Sequence, residues 1–314
     1  MSAAAGQAII LGAGSIDRGD PTSASVTRWK IAGDAPLLAG LVPAPPRRGR
    51  LEVDLTDLGF VTPFDLVALV AMLDQVPAGV ERVIRPPAYA GTANYLLRMD
   101  LPGALAPGIR FEPALPDEWE RDETPALIEL RRLRRAAEIA EIGDRVLPKL
   151  TQRITDAEAK LLFRMAGELV DNAATHGRSR HGTLVAAQHY SGATSGLERG
   201  MWLAIADSGI GIRRHLARNP RLKRSPDDKS AIRLAWRGGT SGTGDPARGW
   251  GLSEIRERAS RSLPARLVVR SGHGLATFDV RSDERRAWRY RELPTFLRGT
   301  VVLVQVGLQG ADGD

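Results

Sequence analysis

Glu168 and Asn172 stand four positions apart in residues 157–174, a stretch rich in Ala, Leu, Glu and Lys. Those residue types favour a helix, and the spacing puts both side chains on one face of it. The amide oxygen of Asn172 suits Mg²⁺, an ion that keeps several waters and takes other ligands from substrate phosphates. Glu168, one turn earlier, is placed to orient or deprotonate an attacking water or hydroxyl. The same pair also fits a plain solvated helix face, so this motif alone decides nothing.

A second group follows the apolar run 201–206: Asp207-Ser-Gly-Ile-Gly211. The run reads as a buried strand. A carboxylate at the end of such a strand is costly unless hydrogen-bonded. Gly209 and Gly211 lack Cβ atoms, so the chain there can turn tightly and approach a ligand closely. The plainer reading is a strand-to-loop turn with a capping Asp. A third group, Arg248-Gly249-Trp-Gly251-Leu252, opens an expected helix that runs to about Ser260. Helix N-termini offer unpaired N–H groups and a dipole that favours phosphate. Arg248 is either a further charge on the phosphates or an ordinary solvated arginine. Ahead of it, residues 236–244 are dense in Gly and hydroxyls. Near the end, Leu297-Arg-Gly-Thr300 leads into 301–306, an apolar β-branched run typical of a buried strand.

Taken in order, these groups resemble the GHKL ATP-binding superfamily of sensor histidine kinases, anti-sigma serine kinases, DNA gyrase and heat-shock chaperones. The resemblance spans residues 120–307. It implies a Bergerat-type two-layer α/β sandwich, with a mixed sheet on one side and helices on the other, that binds ATP and Mg²⁺. It gives Glu168 the catalytic acid's place, Asn172 the metal, and Asp207 the exocyclic amine of adenine. Thr300 then helps hold the base beside Asp207, and Gly249, Gly251 and Leu252 lie at the phosphates. Residues 236–244 take the place of the mobile lid over the triphosphate. Competing phosphate motifs fail. The stretch Gly239-Thr-Ser-Gly-Thr-Gly244 lacks the Gly-Lys-Ser/Thr of a P-loop, and Gly12-Ala-Gly14 lacks the third glycine of a dinucleotide fingerprint.

The elements around these groups suggest two folded units. The chain has 314 residues and 43% hydrophobic content, enough for two cores. Residues 1–47 read as a loop-rich segment with a short strand or two. Residues 48–115 read as a small α/β unit, with a strand at 51–55, a helix from Pro63 to Leu73, a strand at 80–84 and a helix at 91–99. The run Val53-Asp-Leu-Thr-Asp-Leu-Gly-Phe-Val-Thr-Pro-Phe-Asp-Leu-Val-Ala-Leu69 resembles a STAS domain, the fold of anti-sigma factor antagonists. The phosphorylatable antagonists carry a hydroxyl pair where this chain has Pro63 and Phe64, and Asp65 replaces their glycine. Thr62 is the nearest hydroxyl, so packing or partner recognition is expected instead of phosphorylation. Residues 116–150 are expected to be a helical connector, with Leu127, Leu130, Leu133, Ala137 and Ala140 as its apolar stripe. Residues 151–308 form the expected ATP-binding domain and 309–314 a tail. Within it, residues 265–271 read as a strand and 283–292 as a charged excursion before the last strand.

Composition narrows the function. The chain has no cysteine, which excludes disulfides and thiolate metal sites. No apolar run reaches the ~18 residues of a transmembrane helix, and the N-terminus lacks the pattern of a secretory signal. A soluble cytoplasmic protein is expected. The net charge of +7 and pI near 10.2 would suit an acidic partner or nucleic acid. Aromatic content is only 5%, however, and no nucleic-acid motif is present. The run Arg131-Arg-Leu-Arg-Arg135, interleaved with Glu129 and Glu138, reads as a solvated helix face.

The five histidines all follow residue 175, so no phosphoacceptor histidine precedes the ATP domain. The order Asn172-Ala-Ala-Thr-His176-Gly177 is similar to one found in anti-sigma serine kinases; His176 equally suits the end of a helix. The expected function is an Mg-ATP-dependent ATPase or protein kinase that acts on a separate protein partner, possible self-association being left open. The alternative is an ATP-gated regulatory module with little or no turnover. A basic nucleic-acid binder stands third and would show steep salt dependence.

Overall fold

The computed structural model describes residues 26–32, 45–115, 127–134, 138, 141, 155–174, 179–191, 199–220, 222, 226–236, 265–280 and 286–309. These form two sheets. The first contains four parallel strands in spatial order β1 (Val26–Lys30), β2 (Arg50–Asp54), β3 (Glu81–Arg85) and β4 (Ile109–Phe111). Helix α1 (Pro63–Leu73) joins β2 to β3; α2 (Ala90–Arg98) and α3 (Leu101–Ala104) join β3 to β4. The second sheet has the order β5 (Leu127–Leu133), β6 (Thr183–Tyr190), β7 (Arg199–Asp207), β9 (Arg286–Gln309) and β8 (Ala265–Val280). Helix α4 (Asp156–Asn172) precedes β6, while α5 (Gly211–Leu216) and α6 (Asp228–Ala235) follow β7.

Alternation along the strands fixes which face of the second sheet meets which helix. Leu203 and Ile205 of β7, Val302 and Val304 of β9, and Leu267 and Val269 of β8 share a core with Leu162, Met165, Leu169 and Val170 of α4. The alternate residues Trp202, Ala204, Ala206, Val301 and Leu303 share another core with α1 and the inner face of the parallel sheet. The layers therefore run parallel sheet, α1, antiparallel sheet, α4.

Helix α1 forms because its ends are specified and its sides are apolar all round, the composition of a helix buried on every side. Pro63 takes the first turn, where its missing N–H is no loss. Thr62 and Asp65 make a reciprocal capping box: the Thr62 N–H donates to Asp65 Oδ2 at 2.9 Å, and Asp65 N–H donates to Thr62 Oγ1 at 3.4 Å. Ten of its eleven residues are buried. Thr62 itself is 3% exposed.

Polar bonds pin the layers together. Arg132 of β5 forks onto the buried Asp74 carboxylate at 2.8 and 3.1 Å. It also donates to the carbonyls of Ala104 and His181. Tyr95 of α2 donates to Gln188 Oε1 of β6 at 2.6 Å. On its outer face the parallel sheet carries ion pairs: Glu52 with Arg28 and Arg85, and Arg50 and Arg110 each bridging Glu81 and Glu112. Parallel sheets are normally covered on both faces; here charge lets one face carry polar groups.

Three sequence expectations need correction. Residues 127–133 are not part of a helical connector: they are strand β5, antiparallel to β6. The leucine spacing that suited a helix places Leu133 in the α4 core and Leu130 in the α1 core instead, with a bulge between Ile128 and Arg131 resetting the register. Arg132 is accordingly a clamp on Asp74 and no solvated helix face. The charged stretch 286–292 is no excursion, because it pairs with Gly274–Val280 as an extension of the β8–β9 hairpin. Finally, the second sheet is antiparallel at every described pairing instead of mixed, and α1 covers its second face. The helix expected over 249–260 lies outside the described residues, as do 1–25 and 310–314. Among the described residues no helix is long and apolar enough to cross a membrane.

Candidate functional site

One polar row crosses the end of the antiparallel sheet. The register aligns Thr183 of β6 with Asp207 of β7, Asp207 with Thr300 of β9, and Thr300 with Ser271 of β8. Each lies in step with the residues that face α4, so the apolar face ends in this row. Asp207 is 4% exposed. Its Oδ1 accepts the Gly209 N–H at 2.8 Å. Burial pushes its pKa up to about 7, against the opposing pull of the Gly209 and Thr300 backbone N–H groups. Among the described residues no cation contributes to that balance.

The loop that carries this acid is stitched to the last strand. Ser271 Oγ accepts the Ile212 N–H at 3.0 Å and donates to the Gly299 carbonyl at 2.8 Å. Thr300 Oγ1 lies 3.4 Å from the same hydroxyl. Gly299 has φ +90°, and a Cβ there would fall 2.0 Å from the Asp207 carbonyl oxygen. Only glycine fits that approach. Gly211, at φ +76°, packs in the same way against Ser271 and Gly299. Beside Gly211 and Ser271 opens a cleft of about 370 Å³ with Arg213, Arg214 and Asp228 on its walls.

Helix α4 carries Glu168 and Asn172 on the layer that faces this row. Glu168 is exposed and Asn172 half-buried. Among the described residues, the buried Asn172 Nδ2 atom has no hydrogen-bond partner. Oxygen and nitrogen of an amide are assigned from partners, so either polar atom of this side chain can be the one that lacks a partner. Among the described residues no group of three or more His, Asp or Glu could hold a metal by itself.

Of the sequence candidates, Asp207, Gly209, Gly211 and Thr300 come together in one cradle. Glu168 and Asn172 share a helix over the same face. Arg248, Gly249, Gly251 and Leu252 lie outside the described residues, as do His176 and 237–244. Trp236, where the lid was expected to begin, is the buried cap of α6 and packs on Trp288. Ser271 was not a sequence candidate. Its only signal is a hydroxyl that interrupts the buried run of β8. No protein-family model matches this chain, and no curated protein matches it.

Proposed function

We propose that the chain is an ATP-binding regulatory protein of the GHKL class, its antiparallel sheet and α4 forming a Bergerat-type ATP domain joined to a STAS-like unit. The observation that carries this reading is Asp207, a carboxylate buried at a strand end with backbone donors and, among the described residues, no cation. Such a group is costly in the free protein, and the missing favourable partner is a hydrogen-bond donor. The exocyclic amine of adenine supplies one. Thr300 lies directly opposite it in the register, the place of the residue that would help hold the base.

In this reading Asn172 holds Mg²⁺, which neutralises phosphate charge when bound. Glu168 accepts the proton of an attacking hydroxyl. The hydroxyl oxygen bonds to the γ-phosphorus, the bond to the β–γ bridging oxygen breaks, and ADP leaves. Arg248, Gly249, Gly251 and Leu252 are assigned to the phosphates.

Thr62 bears on where the phosphoryl group goes. It is buried and committed to the α1 cap, so it offers no acceptor, and residues 1–175 contain no histidine. Both favour an acceptor on a separate protein, or a module gated by ATP with little turnover. The test is to incubate the protein with γ-labelled Mg-ATP and a lysate. Label on a second protein supports the kinase and free phosphate the ATPase. Nucleotide binding with neither supports the gated module. If no nucleotide binds under any condition, the proposal fails.

A further inference from the structure

Two chains of hydrogen bonds leave neighbouring residues at the end of α1 and arrive at neighbouring residues of the Asp207 loop. In the first, the Asp74 carboxylate accepts both arms of Arg132 at 2.8 and 3.1 Å. Arg132 also donates to the His181 carbonyl at 2.9 Å. The His181 N–H donates to Ser179 Oγ at 3.2 Å, and Ser179 Oγ lies 3.0 Å from Ser208 Oγ. In the second, Gln75 Nε2 donates to the Ala71 carbonyl at 2.9 Å and to the Arg298 carbonyl at 3.2 Å. The Arg298 Nε–H reaches the Gly209 carbonyl at 3.4 Å. Ser208 and Gly209 are the two residues that follow Asp207, and Gly209 donates to its carboxylate.

We propose that Asp74 and Gln75, supplied by the parallel-sheet layer, are positioning residues for the purine site and set how tightly it holds its ligand. This rests on the purine-site reading of Asp207. The first chain is anchored by a bidentate, charge-assisted pair on a buried acid, a geometry with little freedom. The second crosses between the layers at 3.2 and 3.4 Å and acts on the turn whose Gly299 packs against the Asp207 carbonyl. Together they fix the loop from both ends of a two-residue segment. The lone pairs that Asp207 presents to a ligand therefore depend on a helix that packs on the opposite face of its sheet. Whatever shifts α1 shifts the site, so the STAS-like unit becomes the input for a signal.

Coupling of this kind needs energetic proof. The probe is a non-hydrolysable ATP analogue with Mg²⁺, titrated calorimetrically into the full chain. Gln75→Ala and Arg298→Ala are each expected to weaken binding by about 3–10-fold with little change in Tm. The double variant should be no weaker than either single one. Amide exchange at Ser208 and Gly209 should speed up in Gln75→Ala. Asp74→Asn should weaken binding further and lower Tm; if it does not fold, the Gln75–Arg298 cycle still decides. Unchanged affinity in Gln75→Ala, or additive losses that track Tm, would overturn the proposal. If the parent protein does not bind the analogue, the purine reading itself fails. Amide exchange then judges the loop coupling alone: faster exchange in Gln75→Ala supports it and unchanged exchange refutes it.

Discussion

Glu52 in the parallel sheet and Asp207 in the antiparallel sheet are equally buried, each 4% exposed. Glu52 meets Arg28 Nε at 3.0 Å and Arg85 Nε at 2.6 Å. Asp207 meets backbone N–H groups and, among the described residues, no cation. Proteins place ionisable groups inside when they are paired, and leave one unpaired at a cost. The first acid is part of a lattice that lets a parallel sheet show a charged face. The second holds its pKa near 7 through burial, which is how sites that need a reactive or receptive group are built. Equal burial thus serves structure in one sheet and, in the proposed function, a ligand in the other.

Replacing each acid by its amide separates the two roles. Asp207→Asn is expected to weaken nucleotide binding by at least about 100-fold, the loss of a charge-assisted hydrogen bond in a dry site. The same change should raise stability at pH 8. An acid whose folded pKa lies above its unfolded value makes the protein lose stability as pH rises from about 4 to 7, after which the loss is complete. Removing the ionisable group removes that slope and restores about 2–4 kcal/mol above pH 7. Urea melts of both proteins across pH 4–9 measure it; a parallel shift at all pH values would contradict the account. Glu52→Gln should act oppositely, costing about 1–3 kcal/mol and leaving nucleotide affinity unchanged. Glu168→Ala should bind the analogue as the parent does and lose turnover; normal turnover would remove that residue from the chemistry. The smallest effect is expected at Thr62→Ala, about 1 kcal/mol from the lost cap, with no change in any phosphorylation.

Much of this was legible in the sequence where one local signal dominated. The Pro63 start of α1, the apolar strand before Asp207 and the helix that carries Glu168 follow from capping and periodicity. Residues 127–133 were not, because Leu127, Leu130 and Leu133 recur at helical spacing while a bulge lets a strand use the same residues. The Arg132–Asp74 clamp was invisible for another reason. It joins residues 58 positions apart, and an arginine among arginines reads as solvated. In the site, Asp207 and Gly211 announce themselves by type. Ser271 does not, since its role comes from register across β8, β9 and β7. The covering of a second sheet face by α1 could not be read from either unit's pattern alone.

The most direct measurement is a pH titration of the Asp207 carboxyl carbon by NMR, with and without the Mg-bound ATP analogue. The account predicts a pKa near 7 in the free protein and a marked fall on adding nucleotide, because a donor from the base favours the ionised form. An ordinary carboxylate pKa that the nucleotide leaves unmoved would contradict it.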